Sequence, residues 1–189
     1  MKTSRLAAFA VAAAATGFAG SASAIPIVAI FNVATVGAIT ADTGDVTTAT
    51  TIGDAGPNFV GSVLASNIGL AAFDPVTFTP QPMPVSINST FTKTFTTVMG
   101  TFTETLTVYS VTPTGNSLSV LAQGTITGAG FDPTPVFYSA AYTQNAGPGT
   151  QINVSYNDST TAPPGIPEPA TMALIGLAMA GVAASRRKA

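Results

Sequence analysis

The sequence predicts an all-β fold, an antiparallel sandwich or open barrel, flanked by an N-terminal signal helix and a C-terminal transmembrane helix. Three observations carry this reading. Of the 141 residues from 25 to 165, 27 are Thr, a β-branched residue that favours extended backbone. Apolar and polar residues alternate in steps of two through the middle of the chain, and Gly and Pro clusters cut the apolar runs to strand length. Charge is sparse and displaced: five of the six cations lie at the two ends, leaving Lys93 alone against seven acids between them, a net charge of −6. Hydroxyl groups rather than charges must therefore solvate this domain. The length of 189 residues suits one such domain.

At the N-terminus, Lys2 and Arg5 precede the apolar run Leu6 to Gly20, and the small residues Ala22 and Ala24 stand two apart beyond it. That order is a secretory signal peptide over residues 1–24, cut by signal peptidase after Ala24. The run is short for a bilayer span, which separates it from an uncleaved anchor.

Residues 25–160 are expected to be a Thr-rich β-domain. Its strands fall at Val28 to Val36, Asn58 to Ala65, Val76 to Thr79, Val85 to Ser89, Leu118 to Thr127, Val136 to Gln144 and Gln151 to Tyr156. The clearest alternation runs from Phe91 to Val108. Reversing the chain at Thr97 to Gly100 sets Phe95 opposite Phe102, Lys93 opposite Glu104 and Phe91 opposite Leu106. Each pair is compatible, and a slip of one residue would bury the threonines and expose the phenylalanines. Two Phe-Asp-Pro triplets, at Phe73 and Phe131, read as turns that open strands, because Asp accepts backbone hydrogen bonds and Pro presets the next φ.

Residues 161–166 form a Pro/Gly linker, followed by Pro167-Glu168-Pro169, the uncharged stretch 170–185, and Arg186-Arg187-Lys188. Sixteen residues of helix rise about 24 Å, short of a hydrocarbon core about 30 Å thick, so flanking residues must help it cross. Gly176 and Gly181 are at home in a membrane helix, and the three cations stop transfer and stay cytoplasmic. The order of motif, apolar span and basic tail over residues 167–189 resembles the PEP-CTERM sorting signal. Many signals of that kind carry an aromatic residue shortly after the motif, where this chain has Met172. The resemblance implies an exosortase substrate, exosortase being an integral-membrane cysteine protease of Gram-negative bacteria. It further implies a precursor held in the inner membrane, cut near Pro167, and passed to the cell surface or the exterior, commonly beside exopolysaccharide and biofilm.

Composition excludes much chemistry. Without Cys or His, the chain has no thiolate or imidazole for a metal site, no Cys- or Ser-His triad and no disulfide. With no basic excess it lacks the electrostatic footprint of nucleic-acid binding. Asp42-Thr43-Gly44 spells the aspartic-protease triplet but occurs once, where a shared-proton site needs two carboxylates. Asp42, Asp45 and Asp54 lack the regular spacing of a calcium loop. No catalytic residue, metal ligand or cofactor is expected. Asn88, Asn153 and Asn157 fit the N-glycosylation acceptor pattern, and Thr47 to Thr51 could carry O-linked sugar. The expectation is an exported, non-enzymatic surface or extracellular-matrix protein in contact with exopolysaccharide. The alternative is an extracellular carbohydrate- or calcium-binding module or glycan-acting enzyme. In that case Tyr109, Tyr138, Tyr142 and Tyr156 are the aromatic residues to find on one exposed face.

Overall fold

A computed structural model describes residues 25–160. The expected signal helix, membrane helix, sorting motif and basic tail lie outside these residues. Among the described residues no helix is long and apolar enough to cross a membrane.

Thirteen strands follow one another: β1 (Ile25–Pro26), β2 (Ala29–Thr35), β3 (Ile39–Ala41), β4 (Thr51–Asp54), β5 (Asn58–Ser66), β6 (Pro75–Thr79), β7 (Met83–Pro84), β8 (Thr90–Thr97), β9 (Gly100–Thr114), β10 (Ser117–Gly128), β11 (Phe131–Asp132), β12 (Thr134–Thr143) and β13 (Asn153–Thr160). Eight of them, β2, β5, β6, β8, β9, β10, β12 and β13, form a barrel in which every neighbouring pair is antiparallel. Their order around the barrel is their order in the chain, an up-and-down meander. The expected sandwich or open barrel is corrected here to a closed one. The closing pair is β13 with β2, where Tyr156 faces Val33 and Ser159 faces Ile30. Closure removes both sheet edges, which a Thr-rich surface with few charges could not otherwise protect from edge-to-edge pairing.

The β8–β9 hairpin has the expected register: Phe95 faces Phe102, Lys93 faces Glu104 and Phe91 faces Leu106, around a two-residue tip of Val98 and Met99. The first Phe-Asp-Pro triplet is a turn that opens β6, whereas at the second Phe131 and Asp132 are themselves the short strand β11, ahead of β12. Val85 to Ser89 is not a strand. Asn88 takes a φ of 67°, and the Ser89 N–H donates to the Ser86 carbonyl, so this segment is a tight turn feeding β8. The short strands β3, β4 and β7 form a separate sheet, and β1 pairs in parallel with β11. Segments of two to four residues are too short for alternation to reveal, so periodicity did not predict them.

The barrel interior is filled by side chains, as an eight-strand closure allows. Phe31, Phe95, Phe102 and Phe131 make one aromatic group, with Phe31 edge-on to Phe95 at 5.3 Å and Phe95 stacked on Phe102 at 5.9 Å. Phe78, Phe91, Tyr138, Tyr142 and Tyr156 make another. Threonines of β8 and β9, with the exception of the buried Thr97 at the hairpin end, face outward. This is the reverse of a membrane-spanning barrel, whose apolar residues face lipid and whose interior is polar. Two glycines of β10 answer to crowding. A Cβ on Gly124 would lie 1.8 Å from the Thr105 carbonyl oxygen, and one on Gly128 2.2 Å from the Phe102 ring.

Candidate functional site

Two places concentrate chemistry, one inside the barrel and one on its wall. Inside, strict alternation on β8 and β9 carries Lys93 and Glu104 inward with the phenylalanines that flank them. Alternation on β13 does the same for Asp158, between Tyr156 and Thr160. All three side chains are fully buried. Lys93 Nζ lies 2.7 Å from Glu104 Oε2 and in direct contact with Asp158 Oδ1, while the Phe31 ring sits 4.6 Å from the amine and the Tyr138 ring 5.6 Å. No hydrogen bond from outside the cluster reaches the amine or either carboxyl among the described residues.

Two carboxyls and one amine cannot all be charged comfortably in so apolar a place. Burial, reinforced by the neighbouring Asp158, raises the Glu104 carboxyl to about 8 against the pull of Lys93. Burial also raises Asp158, with Lys93 opposing. For Lys93, burial acts to lower the pKa, but the two acids outweigh it and the result is upward. At neutral pH Glu104 is therefore protonated, and Lys93 is matched with Asp158. The hairpin register foretold the Lys93–Glu104 pair. Nothing in the sequence linked Asp158, 65 positions after Lys93, to it.

On the outer wall a cleft of about 260 Å³ is lined by Leu64, Tyr109, Leu121, Phe137, Ser139 and Asn157, among others. Two of these side chains are aimed by β-bulges. Tyr109 is the extra residue of β9 opposite the Leu121–Ala122 step, and Leu64 is the extra residue of β5 opposite Ile30–Phe31. Leu64 is 77% exposed, Tyr109 46% and Phe137 41%. Ser139 and Asn157 face each other across β12 and β13 and supply the polar groups between these walls. Of the four tyrosines, only Tyr109 is on the surface; Tyr138, Tyr142 and Tyr156 are core. Burial raises the Tyr156 hydroxyl to about 12.

The remaining sequence candidates are scattered. Asn88 lies exposed in its turn, and Asn153 and Asn157 point outward from β13. Asp42-Thr43-Gly44 is a loop after β3. Slight desolvation raises the Asp42 carboxyl, but hydrogen bonds from Thr50, Thr51 and Thr43 win and hold it below its ordinary value. Asp45 caps the short 3-10 turn Val46–Thr48 by accepting from the Thr47 N–H at 2.9 Å. No group of three His, Cys, Asp or Glu converges as a metal site among the described residues. Ala22, Ala24, Pro167, Glu168, Pro169, Arg186, Arg187 and Lys188 lie outside them.

The family model for the PEP-CTERM protein-sorting motif matches residues 165–188. Residues 165–188 carry a PEP-CTERM protein-sorting motif. Such a motif implies export, membrane-associated sorting toward the cell surface and processing by an exosortase. No curated protein and no solved structure matches the chain. The PEP-CTERM match thus covers the sorting segment, and the barrel is read from its own residues.

Proposed function

We propose that this PEP-CTERM protein is a non-enzymatic component of the cell surface or extracellular matrix of a Gram-negative bacterium, associated with biofilm exopolysaccharide. In this reading signal peptidase removes residues 1–24, the stretch 170–185 holds the precursor in the inner membrane with Arg186, Arg187 and Lys188 on the cytoplasmic side, and exosortase cuts near Pro167-Glu168-Pro169. The observation that carries it is the sorting-motif match over residues 165–188. The barrel suits such a cargo, because its Thr-rich wall is solvated without charge and its closed sheet offers no edge for unwanted pairing. Fractionation with intact-mass measurement in cells with and without the exosortase tests it. Loss of roughly the last twenty residues only where the protease is present is the expected outcome. A tail that persists in both strains would overturn it.

A second reading is favoured by the wall cleft. Exposed aromatic rings beside Asn and Ser side chains form a surface on which a sugar ring can stack and hydrogen-bond. In this reading the barrel is a carbohydrate-binding module. Retention on immobilised polysaccharide that disappears in a Tyr109→Ala, Phe137→Ala double variant would support it. Equal elution of both proteins from every glycan tried would count against it.

A further inference from the structure

We propose that Lys93 and Asp158 are joined by a self-formed amide bond across the barrel interior, with Glu104 as the catalytic proton carrier. The geometry assembles the three required groups. The Lys93 amine touches the Asp158 carboxyl, and Glu104 lies 2.7 Å from the same amine. All are buried from water, and the Phe31 and Tyr138 rings lie 4.6 Å and 5.6 Å from the amine. Their strands, β8 and β13, are not neighbours in the sheet, so the side chains meet across the lumen.

Condensation needs a neutral amine and a neutral carboxylic acid; desolvation works toward both forms, against the attraction that keeps Lys93 charged in the resting contact. A proton shift within the Lys93–Asp158 contact produces both. The amine nitrogen then attacks Asp158 Cγ, and an N–C bond forms. Glu104 donates its proton to the Asp158 oxygen that departs and receives one from the attacking nitrogen. The C–O bond breaks, and one water leaves. Glu104 ends protonated as it began, and no oxidant, metal or cofactor is consumed. The raised pKa of Glu104 keeps that proton available at neutral pH. The product also relieves the site: an amide replaces a buried amine and carboxyl that have no outside hydrogen-bond partner, and its carbonyl can accept from Glu104. In a chain without Cys, such a link would brace an exported barrel as a disulfide would, closing the segment from residue 93 to residue 158.

The sequence provides a direct assay. Lys93 is the only residue trypsin can cut between Arg5 and Arg186. A lysine in amide linkage is not a trypsin site, so the denatured protein purified from its host should stay in one piece across residue 93, from its processed N-terminus to residue 186 or to its processed C-terminal end. Its intact mass should fall short of its sequence by one water, and digestion with a second protease should yield a joined peptide containing Lys93 and Asp158. Glu104→Gln keeps the shape but cannot carry the proton. That chain should have the full mass and be cut into two separable fragments. Two fragments and full mass from the wild-type chain would overturn the bond. A joined peptide in the E104Q protein would overturn the role of Glu104. Should E104Q fail to fold, the wild-type mass and joined peptide still decide whether the bond exists.

Discussion

Lys93 holds the most consequential position in the domain, because its amine is surrounded by the barrel and its partners have no alternative. Replacing it with Glu would place three carboxyls together with no cation. Removing one member of a buried ionic group typically costs about 3–5 kcal/mol, so K93E should lower the denaturant midpoint severely. Adding E104K restores one amine facing a carboxyl and Asp158, and should recover part of the loss; identical midpoints for the single and double variants would refute the pairing. Glu104 also makes stability depend on pH. Its carboxyl is raised to about 8 in the folded state against an ordinary value of 4.5, so the native chain holds a proton that the unfolded chain releases. The stabilisation is fully present below the unfolded value and is lost as pH rises through the folded one. Urea midpoints should therefore fall between about pH 4.5 and about pH 8, and E104Q should flatten that slope. In any chain whose Lys93–Asp158 amide has not formed, the raised Asp158 carboxyl acts in the same direction.

Among elements, β10 and the loop after β12 carry the clearest local constraints. The close approach of Gly124 to the Thr105 backbone leaves no room for a methyl group, and overpacking of this kind costs about 1–3 kcal/mol, so Gly124→Ala should shift the unfolding midpoint measurably. Gly115, at the β9–β10 turn with a φ of 57° and open space around it, should suffer only backbone strain when changed to Ala. An equal loss at the two positions would show that the Gly124 contact is not what matters. Gln144 is buried after β12, accepts from the Val46 N–H at 2.7 Å, and donates to the carbonyls of Gly44 and Thr150, each at 3.1 Å. It ties the 3-10 turn to the loop between β12 and β13. Gln144→Leu strands the Val46 N–H and the Thr150 carbonyl, while the Gly44 carbonyl keeps the Gly149 N–H, and should cost about 1–3 kcal/mol for each group left unsatisfied, read as a lowered melting temperature. The β8–β9 register was legible because alternation over eight or more residues leaves one choice of face, whereas β9 runs on to Thr114 and β13 to Thr160, beyond the expected Val108 and Tyr156. The bulges at Tyr109 and Leu64 were not, since each is a mismatch between two strands and has no signature in either one alone.

At the scale of the whole molecule, closure by β13 against β2 means that the last strand completes both the sheet and the ionic cluster. A chain ending before Asn153 should lose cooperative unfolding altogether, whereas the surface double variant Tyr109→Ala, Phe137→Ala should keep its melting temperature nearly unchanged; a cooperative transition in the shortened chain would show that the barrel does not need β13. The sequence by itself determined the all-β class, the inward face and register of the β8–β9 hairpin, and the sorting segment read at residues 167–189. These depend on local periodicity or on contiguous motifs, which are written along the chain. Only the tertiary structure decided that the sheet closes, that Tyr109 alone of the tyrosines reaches the surface, and that Asp158 meets Lys93 inside. Those contacts join strands far apart in sequence, and only wrapping the sheet into a cylinder brings them together.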